Sequence, residues 1–289
     1  MAGIKRADIT LGHRVLQNKG VPNKEAIPGV KNILAVYACK GGVGKSTVAT
    51  NLAVSLAMDG CSVGLLDADI YGPNIPLMMG ADGQPHGQGN KIFPMEAHGV
   101  KLMSLGFLVR EDTPMIWRGP MVHGAVRQLL TDTLWGDLDY LIVDLPPGTG
   151  DAQLTLIQTV PLAGVVIVTT PQDVALQDGV KGIQMFRHLK VPVLGLVENM
   201  SGFVCPNCRH ETDIFSKGGG EREAARLKIP FLGAVPLDPD MVKAGDSGLP
   251  IVAGKPDSPQ AKSLRWAAKV LAGQISIANS AQLPLPAHA

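Results

Sequence analysis

Lys40-Gly41-Gly42-Val43-Gly44-Lys45-Ser46-Thr47 stands between the apolar run Ile33-Leu34-Ala35-Val36-Tyr37-Ala38 and an alanine- and valine-rich stretch, residues 45–58, with apolar positions at helical spacing. The implied order is buried strand, glycine loop, helix. Glycine tolerates the dihedrals that turn successive backbone N–H groups inward on an anion, and the positive end of the next helix adds to the field there. In such a loop the final lysine holds β- and γ-phosphates and the hydroxyl after it ligates Mg²⁺. Gly41, Gly42, Val43, Gly44, Lys45, Ser46 and Thr47 are therefore expected to cradle a nucleoside triphosphate, with Ser46 on the metal. One residue departs from the general pattern G-x-x-x-x-G-K-[ST]: Cys39 stands where Gly is asked for.

Further acids follow in the order a nucleotide site needs. Residues 62–66 form a second buried run that ends in Asp67-Ala68-Asp69, and residues 140–143 a third that ends in Asp144-Leu145-Pro146-Pro147-Gly148. Carboxylates at the C-terminal ends of parallel strands lie where open α/β sheets bind ligands. Asp144 suits the acid that orders Mg²⁺ and its water, Asp67 lies closer to the metal shell, and Gly148 is placed to give an N–H to the γ-phosphate. Downstream, residues 193–197 run into Glu198-Asn199-Met200, where the Asn199 amide offers a purine edge both a donor and an acceptor.

Cys205-Pro206-Asn207-Cys208 brings two sulfurs within reach of one soft metal, half the four thiolates that Zn²⁺ or an iron–sulfur cluster takes. Cys39 and Cys61 are badly placed to complete the set, and His210 is a weak third candidate. A two-fold symmetric homodimer supplies the missing pair, because an isologous interface repeats it. Zinc and iron–sulfur both suit four thiolates, and a redox dithiol is a further alternative, although such pairs open a helix whereas this one follows an expected loop at residues 201–203.

The chain resembles the iron–sulfur cluster carrier ATPases of the Mrp family, also called ApbC-like or nucleotide-binding-protein-like. Residues 39–47 carry that resemblance through the deviant phosphate loop with its extra Lys40, together with residues 66–76, 117–120, 143–151, 170–173, 198–200 and the cysteine pair. In this family the first loop position is not always Gly. The resemblance implies slow ATP hydrolysis, with Lys45 and Asp69 as catalytic residues, Asp69 positioning the attacking water, and Lys40 reaching across a homodimer to the partner's nucleotide. It also implies that Asn199 reads adenine, assisted by a loop containing Pro236 and Asp238, and that Cys205 and Cys208 of two chains hold a bridging [4Fe–4S] cluster for delivery to iron–sulfur apoproteins. The segments 71–76 and 117–120 mark the family without a phosphate-binding role that physical chemistry supplies. Many bacterial members carry a small domain ahead of the ATPase core; the segment from Val15 to Val30 here resembles instead the short leader of members linked to mitochondrial respiratory complex I assembly.

The expected fold is one α/β P-loop NTPase domain, a mostly parallel twisted sheet flanked by helices on both faces, spanning residues 31–278 after a leader, residues 1–30, and before a tail, residues 279–289, expected to be disordered. Strands are also expected at 165–169 and 231–235, helices at 175–189 and 261–275, and a mobile loop near the nucleotide at 84–90. With 26 basic and 25 acidic residues and no basic cluster, the chain lacks the localised positive face of a nucleic-acid binder. Its apolar runs fall far short of the roughly 18 residues of a spanning helix, which argues against stable membrane insertion. No signal-peptide core precedes the first strand, so a cytoplasmic protein is expected, or a processed one in the mitochondrial matrix, with its cysteines reduced. A positioning or partitioning ATPase scaffold is the rival reading; it would need a basic face or a lipid-docking helix, and helix 261–275 is expected to pack on the sheet instead.

Overall fold

The computed structural model describes residues 15–18, 24, 26–69, 72–107, 119–148 and 151–281. In chain order the strands are β1 (Ile33–Tyr37), β2 (Val63–Asp67), β3 (Gly87–Gln88), β4 (Lys91–Ile92), β5 (Met95–Ala97), β6 (Val100–Ser104), β7 (Tyr140–Asp144), β8 (Leu162–Thr169), β9 (Val193–Val204), β10 (Glu211–Thr212) and β11 (Phe231–Leu237). The helices are α1 (Lys45–Met58), α2 (Ile75–Met78), α3 (Gly119–Thr131), α4 (Asp151–Thr159), α5 (Asp173–His188), α6 (Gly219–Leu227), α7 (Pro239–Asp246), α8 (Ile251–Gly254) and α9 (Pro259–Ser280).

Seven strands run parallel in the order β11-β9-β8-β1-β7-β2-β6, with β5 antiparallel outside β6 and β10 antiparallel on the far end of β9. Every residue of β1, β2, β7 and β8 is buried, which is why these strands are continuous apolar runs without polar alternation. The chain leaves β1 toward β2 and leaves β8 toward β9, so the crossovers diverge on either side of β1. Right-handed connections then put α1 and α5 on opposite faces of the sheet. A crevice opens where the order reverses, at the C-terminal ends of β1, β7 and β8. Register lines up the acids there: Asp144 pairs with Val36 on one side and with Asp67 on the other.

Helix α1 is apolar nearly all round because it is covered twice, by the sheet below and by α8 and α9 outside. Helix α9 buries Leu264, Ala268, Leu271 and Ile275, so its apolar face is spent inside the fold and is not open to lipid. No helix among the described residues is long and apolar enough to cross a membrane.

Three local expectations are corrected. Of residues 84–90, expected as a mobile loop by the nucleotide, 87–90 belong to the β3–β4 hairpin, turned at Gly89 (φ 61°). It is tied to the end of α3 by Ile92 N–H to the Asp132 carbonyl (3.0 Å), away from the phosphate loop. The strand expected to stop at Val197 continues to Val204, so residues 201–203 extend a strand. Asn279, expected to open the tail, is buried in α9 and donates to Asn32 Oδ1 (2.8 Å) and the Leu16 carbonyl (3.0 Å), which fastens the helix end to the start of the sheet. Residues 1–14, Tyr71, Trp117, Arg118, Thr149, Gly150 and 282–289 lie outside the described residues.

Candidate nucleotide site and cysteine turn

The loop after β1 is set by two left-handed glycines, Gly42 and Gly44, each at φ 81°. Gly44 admits no side chain: a Cβ there would lie 2.1 Å from Asn199 Nδ2. That nitrogen donates to the Val43 carbonyl (2.9 Å), so Asn199 braces the loop from below. Its donor is thereby engaged within the protein, a supporting role that the sequence reading of adenine recognition did not foresee. Helix α1 starts at Lys45, leaving its first amides to face the cleft.

A compact ionic cluster fills the floor. Lys45 Nζ is 2.7 Å from Asp144 Oδ1 and 3.6 Å from Asp69 Oδ2, and Ser46 Oγ donates to Asp144 Oδ2 (2.6 Å). Lys45, Ser46, Asp69 and Asp144 thus converge as the sequence predicted. Burial pushes the Asp144 carboxyl up, and Lys45 works in the opposite direction. Hydroxyl and carboxylate side by side at a helix N-terminus form a hard oxygen set that suits Mg²⁺.

Asp67 departs from its expected place in the metal shell. Its Oδ1 accepts from Asp69 N–H (3.1 Å), while Oδ2 accepts from Ile75 N–H (3.2 Å) and Ser104 Oγ (3.0 Å). With both oxygens spent on protein donors and the residue buried, it shapes the loop that carries Asp69. Burial first, then the neighbouring Asp144, pushes its pKa up to about 7, against those three hydrogen bonds.

Asp238 is also structural: it caps α7 through Asp240 N–H (2.7 Å) and accepts from Gln260 (3.0 Å), and Pro236 lies within β11. Neither lines the cleft of about 570 Å³ over the loop, which α7 instead borders through Met241, Val242, Gly245 and Asp246. Lys40 is half exposed and paired with Asp178 Oδ2 (2.8 Å) on α5, and Cys39 Sγ donates to the Asp178 carbonyl (2.7 Å). Sequence reasoning missed Asp178 and Ser104, since neither follows an apolar run or shares a motif with its partner. It also gave Glu198 no role, although a buried acid at the end of an apolar strand was a readable signal.

Cys205 and Cys208 occupy the turn that joins β9 to β10. Cys205 N–H donates to the His210 carbonyl (3.0 Å) and Arg209 N–H to the Cys205 carbonyl (2.8 Å), with Arg209 left-handed at φ 59°. The backbone N–H groups of Cys208 and Asn207 aim at the Cys205 sulfur and, with the Cys208 thiol, hold Cys205 below the ordinary thiol range. Such a turn favours the thiolate, the form that ligates a soft metal. Among the described residues no group of three or more His, Cys, Asp or Glu side chains could hold a metal, so His210 does not complete a site with the pair.

Residues 29–272 match the ParA family model described as NUBPL iron-transfer P-loop NTPase. The chain is 50% identical over 284 residues to an iron–sulfur cluster carrier protein of Synechocystis, covering 96% of this chain and 80% of the relative. It is 52% identical over 272 residues to the iron–sulfur cluster transfer protein NUBPL of Dictyostelium discoideum, covering 93% and 83%. Among solved structures it is similar to a nucleotide-binding protein from Archaeoglobus fulgidus in complex with ADP, with a TM-score of 0.68, 41% identity, and coverage of 76% of this chain and 87% of that one. The cell division ATPase MinD of Pyrococcus furiosus shares the fold at 23% identity and a TM-score of 0.63, over 83% and 98%.

Proposed function

The chain belongs to the ParA family of NUBPL iron-transfer P-loop NTPases, and from that premise we propose that it is an ATP-hydrolysing carrier that holds a [4Fe–4S] cluster between two copies of itself and delivers it to apoproteins. The observation that carries this reading is the joint presence of a formed phosphate loop and a thiolate-presenting turn with only half a ligand set.

ATP enters the cleft over residues 40–47, where a γ-phosphate competes with Asp144 for Lys45. Ser46 and Asp144 would hold Mg²⁺, which when bound would neutralise phosphate charge. Asp69 orients the attacking water, Asn199 steadies the loop beside the base, and Lys40, released from Asp178, reaches the partner's nucleotide. Two copies meet on the face that bears both sites. Val174, beside the phosphate loop, and Val204 and Ile214, flanking the cysteine turn, are 62%, 48% and 50% exposed and would supply apolar contacts there. The paired turns then present four thiolates to the cargo. The protein works in the cytoplasm or, as a processed form, the mitochondrial matrix.

Anaerobic reconstitution with iron and sulfide tests the reading. About four irons per dimer with a broad iron–sulfur absorption, lost in the Cys205→Ala, Cys208→Ala double variant, is expected. Zinc at about one per dimer would replace the cargo reading with a zinc-bridged nucleotide switch, and no metal with ATPase activity intact would favour a nucleotide-driven scaffold.

A further inference from the structure

Strand β9 runs from the floor of the nucleotide site to the cysteine turn, with a shift of its register against β11 between Asn199 and Phe203. Asn199 holds the Val43 carbonyl at one end, and Val204 precedes Cys205 at the other, a span of about 17 Å at strand rise. Between them Met200 sits at φ 58°, a left-handed conformation uncommon for a bulky residue, with its methyl carbon 3.9 Å from where a Cβ on Gly44 would lie.

The returning leg comes back to the same place. Phe215, three residues beyond β10, lines with Met200 a cleft of about 280 Å³ that is also walled by residues 40–43 of the phosphate loop and by the start of α5 and the residues before it. Both legs are fixed at their roots. Gly202 N–H donates to the Ser216 carbonyl (3.3 Å), and the buried Glu198 carboxylate takes Ser201 Oγ together with the Gly218 and Gly220 N–H groups.

We infer that Met200 and Phe215 are positioning residues that transmit the state of the phosphate loop to the thiols of Cys205 and Cys208. The left-handed positions between its tip and Glu198 are Met200, Gly202 and Ser216, and Gly202 and Ser216 are tied to each other across the hairpin, so a shift of the loop's outer wall is passed to the turn in place of being absorbed. Phosphate binding fixes the dihedrals of residues 41–44, and Met200 and Phe215 are the side chains against which that wall moves. The inference rests on the carrier reading for its biological use, but the link itself needs no cluster.

The test is the alkylation rate of Cys205 and Cys208, resolved from Cys39 and Cys61 by peptide mass spectrometry. It uses the reduced, metal-free full-length chain at a dilution where sedimentation shows one copy, with and without Mg-ADP. The expected result is a change of about threefold or more in wild type on adding Mg-ADP. In Phe215→Ala and in Met200→Gly the rates become the same in both conditions, while ADP affinity stays within about twofold. Phe215→Leu keeps apolar contact and restores the response, which separates a link from general loosening of the hairpin. Wild-type rates indifferent to Mg-ADP, or a response that survives in both truncations, would overturn the inference. A response in a chain that takes up no cluster would uphold the link and remove the carrier reading; a cluster-loading chain without a response would do the reverse.

Discussion

Gly44 shows how single positions decide the site. Its φ of 81° and the absence of space beside Asn199 mean that a methyl group must both strain the backbone, by about 1–2 kcal/mol, and dislodge the amide that steadies Val43. Gly44→Ala should therefore fold, keep its circular dichroism, and lose at least tenfold in ATP affinity by calorimetry; retained affinity would mean that the brace is idle. Asp67 gives a pH signature. Its native pKa of about 7 lies above the unfolded value of about 3.9, so the native state binds the extra proton between those limits. The stability it confers is full below about pH 4 and is lost as pH rises to about 7, on the order of a few kcal/mol. Urea titrations of nucleotide-free protein from pH 4 to 8 should show that decline, and Asp67→Asn should flatten it. The residue scale is also where sequence reading was weakest. Lys45, Ser46 and Asp144 share a motif or end a strand, so their convergence was legible. Asp67 was placed near the metal because it too ends a strand; that its oxygens face Ser104 and Ile75 depends on a strand and a helix start that no local pattern links to it.

At the scale of elements, the glycine loop could be read because strand, loop and helix are contiguous and each carries its own period. The cysteine turn was legible as a ligand pair but not as a shape. Residues 201–203 contain Ser and Gly, which signal a loop, yet β11 and β10 pair with the end of β9 and keep it extended. Tertiary pairing overrode local propensity there. The same holds at the end of α9, where Asn279 ends the apolar periodicity but is drawn into the fold by Asn32 and Leu16. The turn geometry separates the thiols chemically. Cys205 is held below the ordinary thiol range by N–H groups, whereas burial, then Asp139 and Asp59, push Cys61 above it. Alkylation near pH 7 should label Cys205 first and Cys61 last, and Cys61 should catch up as pH is raised; the opposite order would refute the assigned turn.

For the whole molecule, the parallel sheet and its diverging crossovers place two sites on one face, the phosphate loop at the reversal of strand order and the cysteine turn at the tip of its longest described strand. The α/β class followed from buried apolar runs alternating with helices. Which strands neighbour β1 did not, since parallel pairing leaves no local signature. On the proposed carrier reading, two thiolates per chain make a pair of chains sharing one cluster the unit of function. The direct measurement is native mass spectrometry of the anaerobically reconstituted protein. Two chains carrying a single [4Fe–4S] unit, reverting to one chain when Cys205 and Cys208 are both replaced by alanine, is the predicted result. A cluster held by one chain alone, or a dimer whose mass contains no iron and sulfide, would contradict it.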